Sequence, residues 1–259
     1  MSDQNLKQVD LPQFVGDKRL DLFIRLIREM PCQRLVDIGS DHATVPLFLR
    51  KFDHCPSVLV TDLREGPLAI AVGRAVKEGI TEGFDAVMTN GLDGLDLTTQ
   101  DILLVSGLGG QTIARILLDN VERAKRPQRI ILQPQTHPEL LRRSLYEQGF
   151  AITDERCVRD RGRTYLVLVC DRDDEPLRSL SAVEAYFGPV ILRRIKQMTG
   201  ISECLHADAG RRGHAWRDDM NERDAMLDHV LTRKRRLEKQ APYKNRARLL
   251  LEEFEGYTG

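Results

Sequence analysis

The sequence predicts an α/β fold: a doubly wound, mostly parallel sheet of seven strands, followed by a helical C-terminal region. Five short apolar segments, the first at residues 34–38, alternate with amphipathic helical patterns, which is typical of a parallel sheet covered on both faces. Two further strand patterns, over 150–158 and 165–170, are joined only by a polar turn and should pair antiparallel. Beyond residue 183 the apolar spacing is helical.

The elements of the predicted sheet follow one another regularly along the chain. Apolar residues at helical spacing predict a first helix over 17–29, which Pro31 ends. Turn residues, glycine and proline foremost, separate the later elements. The five parallel strands are predicted at 34–38, 57–61, 84–89, 101–106 and 129–132, and the helices between them at 44–52, 66–78, 111–121 and 138–148.

Composition divides the chain into two predicted domains, residues 1–175 and 176–259, with a polar linker over 171–183. The net charge of the chain is zero, but it is −4 in the first part and +4 in the second. This excess permits the second part to hold a polyanion without requiring it, because a basic helix face is usually only solvated. Helices are predicted in this part around 190–195, over 219–240 and over 244–257.

Several classes of protein are disfavoured by the sequence. No apolar run approaches 18 residues and the N-terminus lacks a secretory pattern, so we expect a cytoplasmic protein without a membrane segment. The five cysteines are scattered and form no Cys-x-x-Cys pair. We therefore expect no metal site, no disulfide framework and mostly buried, reduced thiols.

A candidate nucleoside site begins where the first strand ends. Asp37 and Gly39 end that strand in a tight turn before a helix, and glycine allows a ligand to approach the backbone. Asp62 ends the second strand 23 residues later, where a carboxylate can accept both ribose hydroxyls. Asn90, after the third strand, can face an adenine. Since Asp41 occupies the place of a second glycine and would repel phosphate, S-adenosylmethionine is favoured over a dinucleotide.

The residues at the end of the fourth strand limit which kinds of methyl acceptor the chain could use. A pyrimidine-C5 methyltransferase needs a cysteine near it, and an exocyclic-amine methyltransferase carries Asp/Asn-Pro-Pro-aromatic, whereas this chain has residues 106–110, Ser-Gly-Leu-Gly-Gly. A ring nitrogen such as adenine N1 is already nucleophilic through its lone pair, so the enzyme needs only to aim it at the methyl group and to accept a proton afterwards. Asp41 and His42 are candidates for accepting that proton, although His42 could simply bond backbone and Asp41 shape the cofactor pocket.

Six segments of the chain carry a recognisable pattern. They are Ile38-Gly39-Ser40-Asp41-His42-Ala43 with Pro46, Glu65-Gly66-Pro67-Leu68, Asn90-Gly91-Leu92, Gly107-Leu108-Gly109-Gly110, Leu132-Gln133-Pro134 and Ala185-Tyr186-Phe187-Gly188-Pro189. These segments resemble the TrmK family of bacterial S-adenosylmethionine-dependent methyltransferases, which act on N1 of adenosine 22 in tRNA, and the resemblance runs in order from about Leu20 to Pro189. The chain differs from the family's usual pattern at Thr44, Asn90 and Gln135, where the family has tyrosine, aspartate and asparagine.

The resemblance implies a Rossmann-like class I methyltransferase domain and a helical, coiled-coil-like domain that helps to hold tRNA. The loops over 107–110 and 133–135 are then expected near the acceptor base. The expected cofactor contacts are Asp37, Gly39, Ser40, Asp41, Asp62, Leu63, Asn90, Gly91, Ser106 and Gly107. The expected substrate contacts are Gly109, Gly110, Gln133, Pro134, Gln135, Arg161, Arg163, Arg193 and Arg194, with Lys196, Arg211, Arg212 and the run 233–236 as further phosphate candidates.

Two other interpretations stay open from the sequence. The chain could methylate another RNA or a small molecule, or it could be a non-catalytic RNA-binding protein with a vestigial cofactor pocket. The set of Asp37, Gly39 and Asp62 argues against the vestigial pocket. The sequence does not indicate the oligomeric state or which tRNAs are used.

Overall fold

One seven-stranded sheet organises the computed structural model, which describes residues 16–40, 42–172, 179–197 and 221–258. Most bounds lie within two residues of those expected from the apolar segments. The strands are β1 (Arg34–Ile38), β2 (Ser57–Asp62), β3 (Phe84–Met88), β4 (Asp101–Gly109), β5 (Arg129–Thr136), β6 (Ile152–Asp160) and β7 (Arg163–Asp171).

The order of the strands is β3-β2-β1-β4-β5-β7-β6. The first five are parallel, and β7 pairs antiparallel with both β5 and β6, as the sequence predicts. The chain moves outward from β1 to β3 and then returns to β4 on the other side of β1. Ligands of such sheets bind beyond the carboxyl ends of the strands at this change of direction.

The helices cover both faces of the sheet. Apolar residues of α1 to α3 pack on one face, and those of α4, α6 and the C-terminal helices pack on the other. The helices are α1 (Lys18–Arg28), α2 (Thr44–Lys51), α3 (Glu65–Lys77), α4 (Gly110–Leu118), α5 (Val121–Ala124), α6 (Pro138–Glu147), α7 (Ala182–Phe187), α8 (Pro189–Gln197), α9 (Glu222–Gln240) and α10 (Asn245–Thr258).

Two predicted loops are instead strand. The segments 107–109 and 133–136 extend β4 and β5 and pair with each other, with Ser106 opposite Gln133 and Gly109 opposite Thr136. Irregular register on both sides of Leu108 accommodates the positive φ of Gly107, +78°. A bulge of this kind lets a strand continue through glycine and proline, which the sequence pattern alone marks as a turn.

The C-terminal helices share one apolar core with the sheet. Phe187 on α7 stacks on Phe254 on α10, with ring centroids 4.2 Å apart. Both rings are buried in the cluster that also holds Leu132 and Leu141. The described part of the segment 176–259 therefore packs on the sheet and covers it, and its division into a separate domain stays a prediction. Residues 173–178 of the predicted linker lie outside the described residues.

A buried ion pair fixes the start of this cover. The side chains of Arg142 on α6 and Glu155 on β6 are both fully buried, with Nε and Oε1 2.7 Å apart. The other carboxylate oxygen of Glu155 accepts the backbone N–H groups of Val190 and Ile191, at the start of α8. Arg142 also donates to the carbonyls of Ala185 and Tyr186. Loss of one partner from such a pair leaves an uncompensated buried charge.

The cysteines differ from the expectation of reduced thiols. Cys32 and Cys55 form a disulfide, with Cα atoms 5.2 Å apart. Cys32 precedes β1 and Cys55 precedes β2, so the parallel pairing of these strands brings the two residues together. Their separation of 23 residues in sequence gives no sign of this contact. Cys157 and Cys170 are free and buried, as predicted, and Cys204 lies outside the described residues.

Candidate functional site

The turn after β1 folds back against β2. The backbone N–H groups of Gly39 and Ser40 both donate to the carbonyl of Thr61, at 2.8 and 3.1 Å. Gly39 has a φ of +73°, which explains the glycine. Ala43 is also in the left-handed backbone conformation, with φ +50°, and α2 begins at the next residue. Asp41, the predicted base and cofactor contact, lies outside the described residues.

Asp37 provides a buried carboxylate beside this turn. Its side chain accepts a 2.6 Å hydrogen bond from the Ser40 hydroxyl. Burial raises the pKa of Asp37 to about 6, although the bond from Ser40 lowers it. A carboxylate that water reaches so poorly is ionised most readily when a cation lies next to it.

A second carboxylate lies at the end of β2 among exposed apolar side chains. Asp62 is 9% exposed, and one of its oxygens accepts the backbone N–H of Arg64 at 2.9 Å. Its neighbours Leu63 and Met88 are 66% and 64% exposed, and Met88 pairs with Asp62 across β2 and β3. Large apolar side chains around a carboxylate suit a ligand with a flat apolar part and a polar, hydroxylated part.

The Asn90–Gly91 turn lies after β3, beside Asp62. Thr89 donates its backbone N–H to the carbonyl of Asp62, and Asn90 lies 3.4 Å from the Asp93 carboxylate. Gly91 has φ +59°, and a Cβ at this position would lie 3.2 Å from Ile116. The turn is thus held in place while the Asn90 side chain stays exposed.

The ends of β4 and β5 are tied together by Gln133. This side chain is 1% exposed, and its Oε1 accepts the backbone N–H of Gly107 at 3.2 Å and lies 3.5 Å from an Arg19 guanidinium nitrogen. Gln135 is exposed, and its Nε2 would lie 3.8 Å from a Cβ at Gly107.

The start of α4 leaves no room for a side chain. A Cβ at Gly110 would lie only 2.5 Å from the His137 carbonyl oxygen, so this glycine is enclosed more tightly than Gly107.

Arg74 on α3 contacts this site, although no local sequence pattern predicts that contact. Its guanidinium donates to the carbonyl of His42 and, at 2.8 Å, to the hydroxyl of Thr44. It also lies 3.6 Å from the carboxylate of Glu78, the residue that caps the end of α3. The turn between β1 and α2 is therefore tied to α3 by a side chain about 30 residues away in sequence. His42, the other candidate for accepting a proton, has an exposed side chain in this turn.

A cleft of about 860 Å³ opens next to these strand ends, between β5, the β6–β7 hairpin and α9. Asp228 on α9 accepts hydrogen bonds from Arg159 and Thr164, at 2.9 and 2.5 Å. Glu139 accepts one from Arg233 at 2.9 Å. Although burial opposes it, this bond lowers the pKa of Glu139. The cleft is lined by Arg19, Gln133, Pro134, Gln135, Thr136, His137, Pro138, Glu139, Arg159, Gly162, Arg163, Thr164, Tyr165, Leu166, Asp228, His229, Thr232, Arg233, Arg235 and Arg236.

The predicted phosphate contacts are not brought together in one place. Arg163 is exposed and lines this cleft, whereas Arg161 and Arg193 are exposed outside its lining. Arg194 donates to the Glu155 carbonyl and the Asp154 carboxylate, at 2.7 and 2.6 Å, and so joins α8 to β6.

Two further sets of phosphate contacts are predicted from the sequence, the run 233–236 and the pair at 211 and 212. In the first set, Arg233 is bonded to Glu139, as described above. Arg211 and Arg212 lie outside the described residues.

The residues predicted to contact the cofactor and the acceptor base lie together, unlike the residues predicted to contact phosphates. Asp37, Ser40, Asp62, Asn90 and Gly107 all lie at the carboxyl ends of β1 to β4. In the described parts of the chain, no group of three or more His, Cys, Asp or Glu residues could hold a metal ion. No helix there is both long and apolar enough to cross a membrane.

Known proteins share this fold and sequence pattern. A family model described as a methyltransferase domain matches residues 17–168. The tRNA (adenine(22)-N(1))-methyltransferase of Bacillus subtilis is 29% identical over 140 residues, which are 54% of this chain and 59% of that relative, less than two thirds of its length.

Solved structures agree with this match. Streptococcus pneumoniae Sp1610, solved with S-adenosyl-L-methionine, is 27% identical, has a TM-score of 0.62 and is aligned over 83% of this chain and 97% of its own. The fold of B. subtilis TrmK is similar, with a TM-score of 0.62 at 22% identity over 94% and 95% of the two chains. The chain belongs to the methyltransferase-domain family, and its sequence is similar to that of the B. subtilis tRNA (adenine(22)-N(1))-methyltransferase.

Proposed function

We propose that this chain transfers a methyl group from S-adenosylmethionine to N1 of an adenine in tRNA, at adenosine 22. The observation that carries the proposal is the meeting of Asp37, Asp62 and Asn90 at one edge of the sheet, beside the paired ends of β4 and β5. The named relatives in the TrmK family support the acceptor. Such an enzyme would work in the cytoplasm, where tRNA is modified, and this location stays a prediction.

The residues present fit the proposed cofactor. Asp62 has one oxygen on the Arg64 amide, which leaves the other for ribose hydroxyls. The exposed side chains of Leu63 and Met88 would be covered by an adenine, and Asn90 can bond its edge. A neighbouring cation would offset the cost of burying the Asp37 charge, and the ammonium and sulfonium groups of S-adenosylmethionine are both cations. When bound, S-adenosylmethionine supplies an electrophilic methyl group.

The chain's own task is to orient the acceptor and to exclude water. We assign Gly109, Gly110 and the segment 133–135 to the acceptor side, because Gln133 holds the end of β5 against Gly107. The enzyme has to aim the lone pair of adenine N1 at the methyl carbon, whose bond to sulfur breaks as the bond to N1 forms. The methylated ring is then a cation, and its exocyclic N6 amino group can give a proton to a base of the enzyme. Asp41 and His42 are proposed for that proton, since both lie between Ser40 and Ala43 in the sequence.

The acceptor base must leave its partner before N1 can react. In a folded RNA, N1 of adenine is buried by base pairing, and extruding the base costs a few kcal/mol. Contacts to neighbouring phosphates can offset this cost. The cleft between β5 and α9, with its arginines, lies next to the acceptor segment and can supply such contacts.

Transfer of labelled methyl groups to two tRNA transcripts tests the proposal. The first is unmodified and carries adenosine at position 22, and the second carries guanosine there. We expect labelling of the first only. Equal labelling of both would place the target elsewhere in the tRNA. Binding of S-adenosylmethionine without labelling of any RNA would leave a small-molecule acceptor or a non-catalytic role.

A further inference from the structure

The 860 Å³ cleft begins at the candidate acceptor segment. Gln133 bonds Gly107 through the same oxygen that lies 3.5 Å from Arg19. Gly107 belongs to the candidate cofactor edge, and Arg19 belongs to the wall of the cleft. One buried side chain thus separates the two sites, so that a ligand in the cleft would lie next to the reacting base. The volume is within the range of about 300–1,000 Å³ of ordinary ligand sites.

The lining of the cleft is strongly basic although the chain has no net charge. Six arginines and two carboxylates, Glu139 and Asp228, are among its described residues. Each carboxylate is bonded to one of the six, Arg233 or Arg159. The remaining excess of positive charge favours an anionic ligand, and Arg163 and Arg236 are exposed at the cleft to receive one.

An aromatic ring and a guanidinium group lie together in the wall. The guanidinium carbon of Arg19 lies 5.2 Å from the centre of the Tyr165 ring. Tyr165 is half-buried and Arg19 is held by Gln133 and by Asp17, which is 3.7 Å away. Planar aromatic and guanidinium groups are the surfaces on which unpaired bases of RNA stack. An acidic peptide would use the positive charge but would have no need of these planes.

The wall also retains polar nitrogens that make no hydrogen bond, three of them donors of arginine side chains. Buried nitrogens of Arg19, Arg159 and Arg233, in each case Nε, have no hydrogen-bond partner, and neither has Nε2 of His229. All four side chains line the cleft. A buried donor without a partner is costly, by about 1–3 kcal/mol, and its retention calls for an explanation. A polar ligand that enters the cleft and displaces these side chains enough to reach the nitrogens would give one.

The floor of the cleft is rigid because α9 is clamped to the sheet. The Arg233 guanidinium lies 3.8 Å from the centre of the Tyr186 ring and bonds Glu139. Asp228 fixes the helix to the β6–β7 hairpin, as described above, and Glu222 fixes its start to Arg25 and Arg156. These ion pairs hold the fold, so a ligand's ionic contacts are left to the groups at the rim and its stacking contacts to the Arg19–Tyr165 pair.

We propose that this cleft binds an unpaired nucleotide of the RNA substrate next to the methylated adenine, with its base on the Arg19–Tyr165 pair and its phosphates on Arg163 and Arg236. The assignment rests on the proposed function for the identity of the RNA. It adds a second nucleotide site beside the one for the acceptor base. Its role is to hold the extruded segment open while the acceptor base is methylated.

Equilibrium binding of an unmodified tRNA transcript to the full chain tests the assignment. The double variant Arg163→Ser/Arg236→Ser should bind tRNA at least tenfold more weakly. Its slope of log affinity against log salt should be smaller by about 1.4, since each single-strand phosphate contact contributes about 0.7. Tyr165→Leu should bind about tenfold more weakly with an unchanged slope, because stacking is not ionic.

Three controls keep the test specific. Lys77→Ser/Arg248→Ser removes two exposed cations outside the cleft and should bind tRNA as the wild type does. All variants should bind S-adenosylhomocysteine like the wild type, which shows that they are folded. Polyglutamate is the probe for an acidic peptide site and should not compete with tRNA.

The outcomes separate this assignment from the proposed function. Cleft variants that methylate and bind tRNA normally would overturn the cleft and leave the function standing. Strong tRNA binding that depends on the cleft, without any methyl transfer, would support the cleft assignment and overturn the proposed function. Equal weakening by the control pair, or effective competition by polyglutamate, would mean that the cleft binds charge and not a nucleotide.

Discussion

The Ser40 hydroxyl lies 2.6 Å from the Asp37 carboxylate and donates a hydrogen bond to it at the start of the turn after β1. This bond offsets only part of the cost of burying the charge, since the pKa of Asp37 is still raised to about 6. The fold therefore retains a carboxylate that is unfavourable in the free protein. That is expected of a group whose partner is a ligand.

Asp37→Asn should stabilise the free protein. Because the folded pKa of about 6 lies above the ordinary value of 3.8, stability falls as the pH rises through this interval and stays low above it. At pH 8 we expect the free energy of unfolding to increase by up to about 3 kcal/mol, at 1.36 kcal/mol for each pKa unit. The gain, measured by urea unfolding, should shrink between pH 6 and pH 4.

A surface acid provides the comparison for this variant. Asp96 is 89% exposed, and Asp96→Asn should change the free energy of unfolding by less than about 0.5 kcal/mol at either pH. A loss of stability in Asp37→Asn at pH 8 would mean that the Asp37 charge supports the fold.

The affinity for S-adenosylmethionine should depend on the charge of Asp37. A cation bound nearby lowers the pKa of the carboxylate, so the affinity of the wild type should decrease as the pH falls through about 6. Calorimetry between pH 5 and pH 8 measures this dependence. In Asp37→Asn the affinity should be lower at pH 8 and nearly constant with pH, and an unchanged pH profile would exclude Asp37 as the responsible group.

Asp62→Asn should weaken the binding of S-adenosylhomocysteine by about tenfold or more. The amide oxygen can still accept the Arg64 backbone N–H, so the turn keeps its shape. The neutral amide, however, loses the charge-assisted hydrogen bonds that a carboxylate accepts from both ribose hydroxyls. Asp85→Asn, at an exposed position on β3, is the matched change and should bind normally. Equal affinities of the two variants would refute a ribose contact at Asp62.

Arg74→Met should weaken cofactor binding by about five- to tenfold. Methionine fills similar volume but cannot hold His42 and Thr44, so the turn after β1 would gain alternative conformations that must be ordered on binding. Lys77→Met, one turn further along α3, should have no such effect. A lower melting temperature with unchanged affinity would show that Arg74 supports only the fold.

Phe254→Ala should lower the free energy of unfolding by about 3–5 kcal/mol, the usual cost of emptying a buried aromatic site. Phe254 is 1% exposed and stacks on Phe187. For the same reason the fragment 1–175 should bind hydrophobic dye and unfold without a cooperative transition. A fragment that unfolds cooperatively would establish the predicted domain boundary. Leu249→Ala, at a 53% exposed position on the same helix, is the control.

The sequence predicted the sheet and its candidate cofactor acids because each lies next to a strong local signal. Asp62 ends an apolar strand and Gly39 follows one, and the parallel order of strands then brings the two together. Contacts between distant elements gave no such signal. Arg74 reaches His42 only because α3 packs at a particular angle to the turn, and Cys32 meets Cys55 only because β1 and β2 start side by side.

The ends of β4 and β5 show the limit of local rules in another way. Glycine at 107 and proline at 134 indicate turns when each is considered alone. In the folded chain the two segments pair across bulges and are closed by the buried side chain of Gln133. A side-chain bond to a backbone group 26 residues away has no periodic signature in sequence.

The identity of the methylated nucleoside tests the central claim most directly. Unmodified tRNA should be incubated with the protein and S-adenosylmethionine carrying a labelled methyl group, digested to nucleosides and separated by mass. We expect 1-methyladenosine to carry the label, and Asp62→Asn to reduce it. Label in N6-methyladenosine or 5-methylcytidine, or in no nucleoside while the cofactor still binds, would contradict the assignment of adenine N1 as acceptor.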